Sequence, residues 1–220
     1  PERTFGHLDA DKAAMTIENL LTMTTGLDWQ EMNVGYGTRR NTTMELAQYG
    51  GDWTQFVLDR PMAELPGTVF NYNSGASYLL SAILTEATGM RAADFARERL
   101  FEPLGFSRWR WTANPQGVTI GGWGLNITAH DMAKFGFLYL HQGRWDDQTI
   151  VPADWVAAST TTQVELAWDE GYGYQWWISP AAGTYSARGL YGQYIIVVPA
   201  LDMVVTFISD LPEEQGDVPD

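Results

Sequence analysis

The spacing of apolar residues changes near the end of the chain, and this change limits the folds that the sequence can adopt. Four segments alternate apolar and polar residues in the manner of β-strands: residues 172–178, 184–188, 193–198 and 203–209. Only a few residues separate each segment from the next. Turns this short can join antiparallel neighbours, whereas a parallel crossover needs about a dozen residues or more. The sequence therefore predicts a C-terminal antiparallel meander.

The part of the chain before the meander has the apolar spacing and the capping residues of helices. Helices predicted on these signals run from the N-cap Thr16 to Gly26, from the N-cap Asp52 to Pro61, over residues 78–87 with Gly89 as C-cap, over 92–100, and from the N-cap Thr128 to about His141. A polar stretch rich in Gly and Asn, residues 28–43, is predicted to be a surface loop.

The fold class follows from the order of these elements. A helical cluster followed by an antiparallel meander is an α+β arrangement. We expect residues 1–165 to form the mainly helical part of one domain and residues 166–210 to form the strands of its sheet. Residues 211–220 are expected to form a solvated acidic tail.

The charge and composition of the chain argue against several classes of function. Its 220 residues include 13 Lys and Arg against 27 Asp and Glu, a formal net charge of -14. Such a charge disfavours binding to nucleic acid or to anionic lipid, and no apolar run approaches the roughly 20 residues that span a bilayer. There is no cysteine, and the three histidines form no metal-binding pattern, so we expect no metal and no cofactor. The compartment stays undetermined.

One short segment has the residues and the setting of a catalytic site. Residues 70–75, Phe-Asn-Tyr-Asn-Ser-Gly, connect a turn to a predicted helix and place Tyr72 two positions before Ser74. A junction of this kind presents side chains to a cleft while the helix behind holds them. The Gly-x-Ser-x-Gly pattern and the phosphate-binding loop that ends in Lys-Ser/Thr are both absent from the sequence. The structural alternative for Tyr72 is an aromatic side chain that packs at a helix start.

With four further segments, this junction resembles the serine β-lactamase and penicillin-recognising family, in its class C β-lactamase, esterase and D-peptidase branch. The junction is similar to the family's Tyr-x-Asn motif in its Tyr-x-Ser form. The other four segments follow the family's order. Residues 16–27 resemble its Leu-Leu-Thr-x-Thr-Ser-Gly-Leu segment, and residues 101–106 resemble its Pro-Leu-Gly-Met turn. Residues 121–135 resemble its Gly-Gly loop with the following helix, and residues 187–193 resemble its Lys/His-x-Gly strand. The resemblance implies a β-lactamase-like fold and hydrolysis of an ester, amide or lactam carbonyl through an acyl-enzyme.

The sequence departs from the family at the nucleophile. The family's serine belongs to Ser-x-x-Lys, but aspartates stand three residues before both lysines of this chain, Lys12 and Lys134. In the family that motif precedes the segment resembled by residues 16–27, and a helix follows the meander. We therefore expect the chain to be an internal piece of a larger hydrolase that lacks both ends, and to be inactive alone.

A second departure concerns the third motif. Ala187 occupies the position of the family's Lys or His, and Arg188 points to the opposite face if the strand is regular. The family's usual anchor for a substrate carboxylate is then missing, which favours an ester or amide substrate without that carboxylate.

The resemblance also implies roles for individual residues. Tyr72 would share a proton with the lysine, Ser74 would hydrogen-bond the lysine or the substrate, and the backbone N–H of Leu190 would donate to the oxyanion. Candidate substrate-binding residues are Asn73, Trp123, Arg188, Gly189, Tyr191 and Gln193. For Trp123, Tyr191 and Gln193, plain packing is the alternative.

Two further interpretations stay open, and one of them is a domain excised from its parent and studied only for its fold. A binding module on the same scaffold would keep the cleft without the chemistry. The expected partners are a small-molecule ester, amide or lactam and, for the sheet, either the preceding segment of a longer protein or a second copy of the chain. A sheet that lacks the family's covering elements would leave one apolar face bare.

Overall fold

A computed structural model describes residues 10–210, so the predicted acidic tail lies outside the described residues. In chain order the elements are α1 Ala10–Ala13, α2 Ile17–Leu21, α3 Thr42–Gln48, α4 Trp53–Leu58, α5 Ser74–Thr88, α6 Ala92–Ala96, a π-helical turn Arg97–Phe101, β1 Trp109–Trp111, β2 Leu125–Ile127, α7 Ala129–Leu140, β3 Arg144–Trp145, β4 Gln148–Thr149, α8 Ala153–Ser159, β5 Val164–Glu165, β6 Gly171–Tyr172, β7 Trp177–Ser179, β8 Thr184–Gly189, β9 Gln193–Val198, a 3-10 turn Pro199–Leu201 and β10 Met203–Phe207. Across these residues, no helix has both the length and the apolar character needed to cross a membrane.

Polar side chains cap three helices where the sequence predicts them. Thr16 caps α2 in a capping box with Asn19, Asp52 accepts from two backbone N–H groups of α4, and Thr128 accepts from the N–H of Asp131 in α7. These contacts satisfy backbone donors that have no partner within the helix, so the predicted N-termini are confirmed.

Two predicted helix ends are wrong. Helix α2 stops at Leu21, before Gly26, because Met23 adopts a φ of 59° and the chain turns there. The helix predicted over residues 92–100 keeps α-helical bonding only in α6 and continues as the π-helical turn, where the N–H of Glu102 bonds the carbonyl of Arg97 at 2.9 Å. Neither change in backbone geometry has a periodic signal in the sequence.

Helix α5 begins four residues earlier than its apolar pattern predicts. Asn73 caps it by accepting from the N–H of Ala76 at 3.0 Å, so Ser74 is its first residue. The first turn is small and polar, yet it is buried, because it packs against other backbone segments. The predicted C-cap is confirmed: Gly89 has a φ of 69° and its N–H bonds the carbonyl of Thr85.

The last part of the described chain is a six-stranded antiparallel sheet in the order β10-β9-β8-β7-β6-β5. Each strand pairs with its neighbour in sequence, which confirms the predicted meander and the α+β fold class. The single strand predicted over residues 172–178 is wrong, because the chain turns within it and forms the two paired strands β6 and β7. Two small antiparallel pairs, β1 with β2 and β3 with β4, lie earlier among the helices.

Two apolar clusters hold the described residues together. The first joins the helices α2 to α5 to the aromatic residues of β6 and β7, and it contains Trp29, Trp53 and Tyr78. The second lies between α7 and one face of the sheet, where Ile195, Val197 and the partly buried Ala187 pack. The junction before α5 belongs to the first cluster, close to the sheet.

The opposite face of β9 and β10 is apolar, and its side chains belong to neither cluster. Strand alternation and the register between the two strands place six of them together: Tyr194, Ile196, Val198, Met203, Val205 and Phe207. Met203 is 39% exposed and Phe207 is 52% exposed. Among the described residues, nothing covers this face in the way that α7 covers the other.

The C-cap of α5 gives a test of the fold. Replacement of Gly89 by Ala places a Cβ at a positive φ, with no atom within 4 Å of it, so only backbone strain opposes the change. We expect Gly89→Ala to lower the free energy of unfolding by about 1 kcal/mol and the melting temperature by roughly 2–4 °C.

The matched control is Gly50→Ala, because Gly50 has equally open surroundings and no positive φ. We expect this variant to melt within about 1 °C of the wild type, since Ala fits an ordinary backbone conformation. Equal melting temperatures for the two variants, measured by circular dichroism, would contradict the assigned end of α5.

Candidate active site

The junction before α5 is tied to the loop that follows α2. The N–H of Asn71 donates to the carbonyl of Met23 at 2.8 Å, and its side-chain amide donates to the carbonyl of Trp29 at 3.0 Å. These hydrogen bonds hold residues 71–73 against the loop that contains Met23 and Trp29. The direction in which Tyr72 leaves the backbone is therefore set by tertiary contacts as well as by the helix that follows.

The surface loop predicted over residues 28–43 is mostly exposed along its middle, residues 32–40, but the prediction is wrong at its two ends, where side chains are buried. Trp29 is 1% exposed, Glu31 is 2% exposed and Asn41 is fully buried. Asn41 caps α3 and also donates to the carbonyl of Val34 at 2.8 Å. The buried polar side chains at the two ends, Glu31 and Asn41, are satisfied by hydrogen bonds within the protein and not by water.

Glu31 is a site residue that the sequence analysis missed. Its Oε2 accepts from the backbone N–H of Ser74 at 2.8 Å, and its Oε1 accepts from the Ser74 hydroxyl at 2.6 Å. The only sequence signal is an acidic residue two positions after a Trp within a polar loop, and that signal is not specific. The contact that gives Glu31 its role spans 43 residues of chain.

Tyr72 lies in a group of four aromatic side chains that joins the junction to the sheet. Its ring stacks on Trp177 with a centroid distance of 6.0 Å and an interplanar angle of 21°. Phe70 and Tyr172 complete the group, each within 6.0 Å of Trp177. Burial, and secondarily the negative charge of Glu31, raises the pKa of Tyr72 to about 12. The phenol is therefore protonated at neutral pH.

Trp177 also connects Tyr72 to Arg188. The guanidinium of Arg188 lies 5.1 Å from the Trp177 ring centroid, and it forms an ion pair with Glu170 at 2.7 Å. Arg188 and Ala187 point to opposite faces, as the alternation of a regular strand predicts, with Ala187 packed beside α7. The cation is on the Trp177 side of the sheet, and its charge is already paired.

Asn73 and Trp123 lie on either side of the start of α5. Asn73 is fully buried, and its Nδ2 has no hydrogen-bond partner among the described residues. Gly122 lies so close to Ser74 that a Cβ on it would come within 2.7 Å of the Ser74 carbonyl. This contact brings the Gly-Gly loop against the junction, while the Trp123 ring packs on Trp53 at 5.6 Å.

The remaining candidates lie in the hairpin between β8 and β9. Leu190 and Tyr191 form its tip, at 42% and 44% exposure, next to Gly189. The Gln193 side chain donates to the carbonyl of Ser209, beyond β10. The structure thus brings Tyr72, Asn73, Ser74 and Trp123 together and links Arg188 to them through Trp177. It shows no contact between the hairpin tip and Tyr72, so the roles assigned to the hairpin stay predictions.

The raised pKa of Tyr72 predicts a loss of stability at alkaline pH. A phenol whose pKa is higher in the folded protein than in the unfolded chain stabilises the fold below pH 10, and this contribution disappears as the pH rises towards 12. A change from 10.0 to about 12 corresponds to roughly 3 kcal/mol.

We therefore expect the free energy of unfolding to fall less steeply between pH 10 and 12 in Tyr72→Phe than in the wild type. Urea denaturation at several pH values measures the difference. Parallel curves for the two proteins would contradict the assigned environment of Tyr72. Tyr172 and Tyr185 also have raised pKa values, so part of the alkaline loss remains in the variant.

Comparisons with known proteins agree with the fold and the motifs. The Beta-lactamase family model matches residues 6–220. A 6-aminohexanoate-dimer hydrolase of Paenarthrobacter ureafaciens is 28% identical over 156 residues, which are 66% of this chain and 40% of that protein.

Solved structures give the same result. A Bacillus anthracis protein, provisionally named a 6-aminohexanoate-dimer hydrolase, superposes with a TM-score of 0.78 at 25% identity, over 89% of this chain and 55% of that one. A penicillin-binding protein from Bacillus halodurans gives 0.72 at 20% identity, over 93% and 70%, and so shows the fold alone. This chain thus spans about half the length of the two 6-aminohexanoate-dimer hydrolases. By the match over nearly its whole length, the chain belongs to the β-lactamase family.

Proposed function

We propose that this chain forms the tyrosine-bearing part of a serine hydrolase that cleaves amides through an acyl-enzyme. The observation that carries the proposal is the junction at α5, which is fixed by the Asn73 helix cap and by the hydrogen bonds from Ser74 to Glu31. Tyr72 lies two residues before Ser74 in this junction. A fixed phenol beside a fixed hydroxyl suits the proton transfers of acyl transfer. The nucleophilic serine and its lysine would come from a Ser-x-x-Lys segment outside these 220 residues.

In this mechanism Tyr72 donates a proton to the leaving amine. Its pKa of about 12 makes the isolated phenol a donor and a very poor base at neutral pH. A lysine ammonium nearby would lower that pKa and favour the phenolate, which accepts the serine proton and so becomes the phenol that protonates the leaving amine. The backbone N–H of Leu190 would stabilise the oxyanion, which is worth about 3–4 kcal/mol for one donor.

The third motif supports a substrate that has no carboxylate at the usual anchor position. Ala187 packs beside α7 and brings no charge, and the charge of Arg188 is paired with Glu170. The two relatives are named for hydrolysis of the 6-aminohexanoate dimer, whose units an amide joins, and this supports an amide substrate. Asn73, Trp123, Arg188, Gly189, Tyr191 and Gln193 remain the proposed substrate contacts.

A non-catalytic binding module is the second candidate. It is favoured by the lack of Ser-x-x-Lys in the 220 residues. It is also favoured by the raised pKa of Tyr72, which leaves the phenol without base character in this chain. Such a module would bind an amide or ester in the same cleft and release it unchanged.

A fluorophosphonate probe distinguishes the two candidates. We expect no adduct by intact mass on the 220-residue chain, because it has no activated nucleophile. We expect a stoichiometric adduct, and hydrolysis of a linear 6-aminohexanoyl amide, in a longer protein in which Ser-x-x-Lys precedes this chain. An inert longer protein would favour the binding module, and an adduct on the 220-residue chain would show that a serine within it is activated.

In the active protein, Tyr72→Phe should lower kcat by about 10²–10⁴, the usual range for a lost acid–base group. Tyr49→Phe is the matched control, since it removes a phenol from an exposed position that packs on Phe56. Tyr49→Phe should keep the wild-type kcat. A Tyr72→Phe variant with the same kcat as the control would reduce Tyr72 to a packing role.

We also propose that the bare face of β9 and β10 is covered by a preceding segment of a longer protein or by a second copy of the chain. Six apolar side chains on one face can exceed the few hundred Å² that monomers usually expose. Analytical ultracentrifugation of the chain, alone and with such a segment, should show self-association or a complex. A monodisperse monomer that does not bind the segment would contradict this proposal.

A further inference from the structure

The Glu31 carboxylate is buried with hydrogen-bond donors around it. Besides the two groups of Ser74, Trp29 donates its indole N–H to Oε2 at 2.9 Å, and Tyr36 donates its hydroxyl to Oε1 at 2.7 Å. Each oxygen thus receives two hydrogen bonds, the full capacity of an ionised carboxylate. Within residues 10–210, Glu31 has no ion pair with Lys, Arg or His.

The four donors suit the ionised form of the Glu31 carboxylate. A buried anion without donors would be strongly unfavourable, and four neutral donors from three residues, two in the loop and one at the start of α5, offset that penalty. One donor is the first backbone N–H of the 15-residue helix α5, whose N-terminus favours negative charge. A structural link between Ser74 and the loop would need only one neutral acceptor.

The first consequence concerns Ser74. Its hydroxyl proton is directed to Glu31, so the oxygen can only accept hydrogen bonds from any further group. A lysine ammonium or the N–H of an amide substrate can donate to such an oxygen. An ester has no N–H at the scissile bond, so it cannot.

The second consequence concerns Tyr72. The negative charge of Glu31 opposes a second negative charge on the phenol, and it adds to the effect of burial on the pKa. The other ionisable groups around Tyr72 are the Tyr172 phenol and, beyond Trp177, the paired Arg188 and Glu170. Glu31 is the group among them that carries an unpaired charge.

From these contacts we propose that Glu31 is a positioning residue: it fixes the Ser74 oxygen as an acceptor for an N–H donor, and its charge adds to burial in opposing the phenolate form of Tyr72. The effect of Glu31 on catalysis rests on the proposed function, whereas its effect on the protonation of Tyr72 does not. A site that pairs an N–H acceptor with a phenolic proton donor suits an amide, whose leaving nitrogen must be protonated.

The first experiment titrates the tyrosines of the 220-residue chain by NMR, with label at the ring carbon that bears the hydroxyl. Tyr72→Phe identifies the Tyr72 signal. We expect Glu31→Gln to lower the Tyr72 midpoint by about half a pH unit or more, because the like charge is removed while burial remains. Glu31→Asp should keep the midpoint near the wild-type value, since it keeps the charge.

The matched control is Asp131→Asn, which neutralises another buried carboxylate. Asp131 is 1% exposed and accepts hydrogen bonds from Thr128 and Lys134 at the start of α7. This variant should lose stability without moving the Tyr72 midpoint. An unchanged midpoint in folded Glu31→Gln would overturn the proposal, as would an equal shift in Asp131→Asn. If Glu31→Gln does not fold, a Glu31→Asp midpoint that falls as far as about pH 10 would overturn it instead.

The second experiment measures hydrolysis of an amide and its matched ester by the longer protein. Ser74→Ala should lower kcat/KM for the amide by about tenfold, the effect of one lost hydrogen bond. An ester that is unaffected identifies the substrate N–H as the donor, and an equal loss for both substrates identifies the lysine. No loss for either would overturn the role of Ser74. A protein that hydrolyses neither substrate would contradict the proposed function and leave the NMR result standing.

Discussion

The hydrogen bonds between Glu31 and Ser74 join two parts of the chain that lie 43 residues apart, and the geometry of the site depends on them. A buried carboxylate has to be surrounded by donors, so its position fixes the loop that carries it and the helix start that it contacts. With α5 beginning at Ser74, the Tyr72 ring stacks on Trp177. The electrostatics of the loop therefore determine where the phenol meets the sheet.

The sheet contributes the second constraint, through its register. Ala187 pairs with Ile195 and Arg188 with Tyr194, so the side chains of these consecutive β8 residues lie on opposite faces of the sheet. The face with Ala187 is sealed by α7, and the face with Arg188 carries Trp177. Because the side-chain period is two, a slip of one residue would put a guanidinium into the second apolar cluster. The cation near Tyr72 is thus fixed by the same pairing that builds the core.

The parts of the fold that were predicted correctly have local causes. Thr16, Asp52 and Thr128 cap their own helices within three residues, and the short turns after residue 178 leave only antiparallel neighbours. The parts that were not predicted have distant causes. Glu31 lies in a polar loop that looks exposed until its donors, mainly Ser74 and Tyr36, are known.

The candidate site divides in the same way. The proximity of Tyr72 and Ser74 could be predicted because it lies within one junction, and the opposite orientations of Ala187 and Arg188 follow from strand alternation. The ion pair of Arg188 with Glu170 could not, because it joins β8 to the residue before β6, and the order of the strands in the sheet sets that distance. The same limit applies to the start of α5, where burial of a small polar turn overrides the apolar pattern.

The charge balance around Tyr72 limits which chemistry this arrangement can support. Glu31 makes phenolate harder to form, so a base role for Tyr72 requires a cation that overcomes both burial and this anion. The same anion would stabilise such a cation through the polarised Ser74 hydroxyl, because the Ser74 oxygen accepts while its proton points to the carboxylate. Glu31 therefore favours a lysine ammonium beside Ser74 and the protonated form of the Tyr72 phenol. A site with that pairing releases a proton to a leaving amine more readily than it removes one from an alcohol.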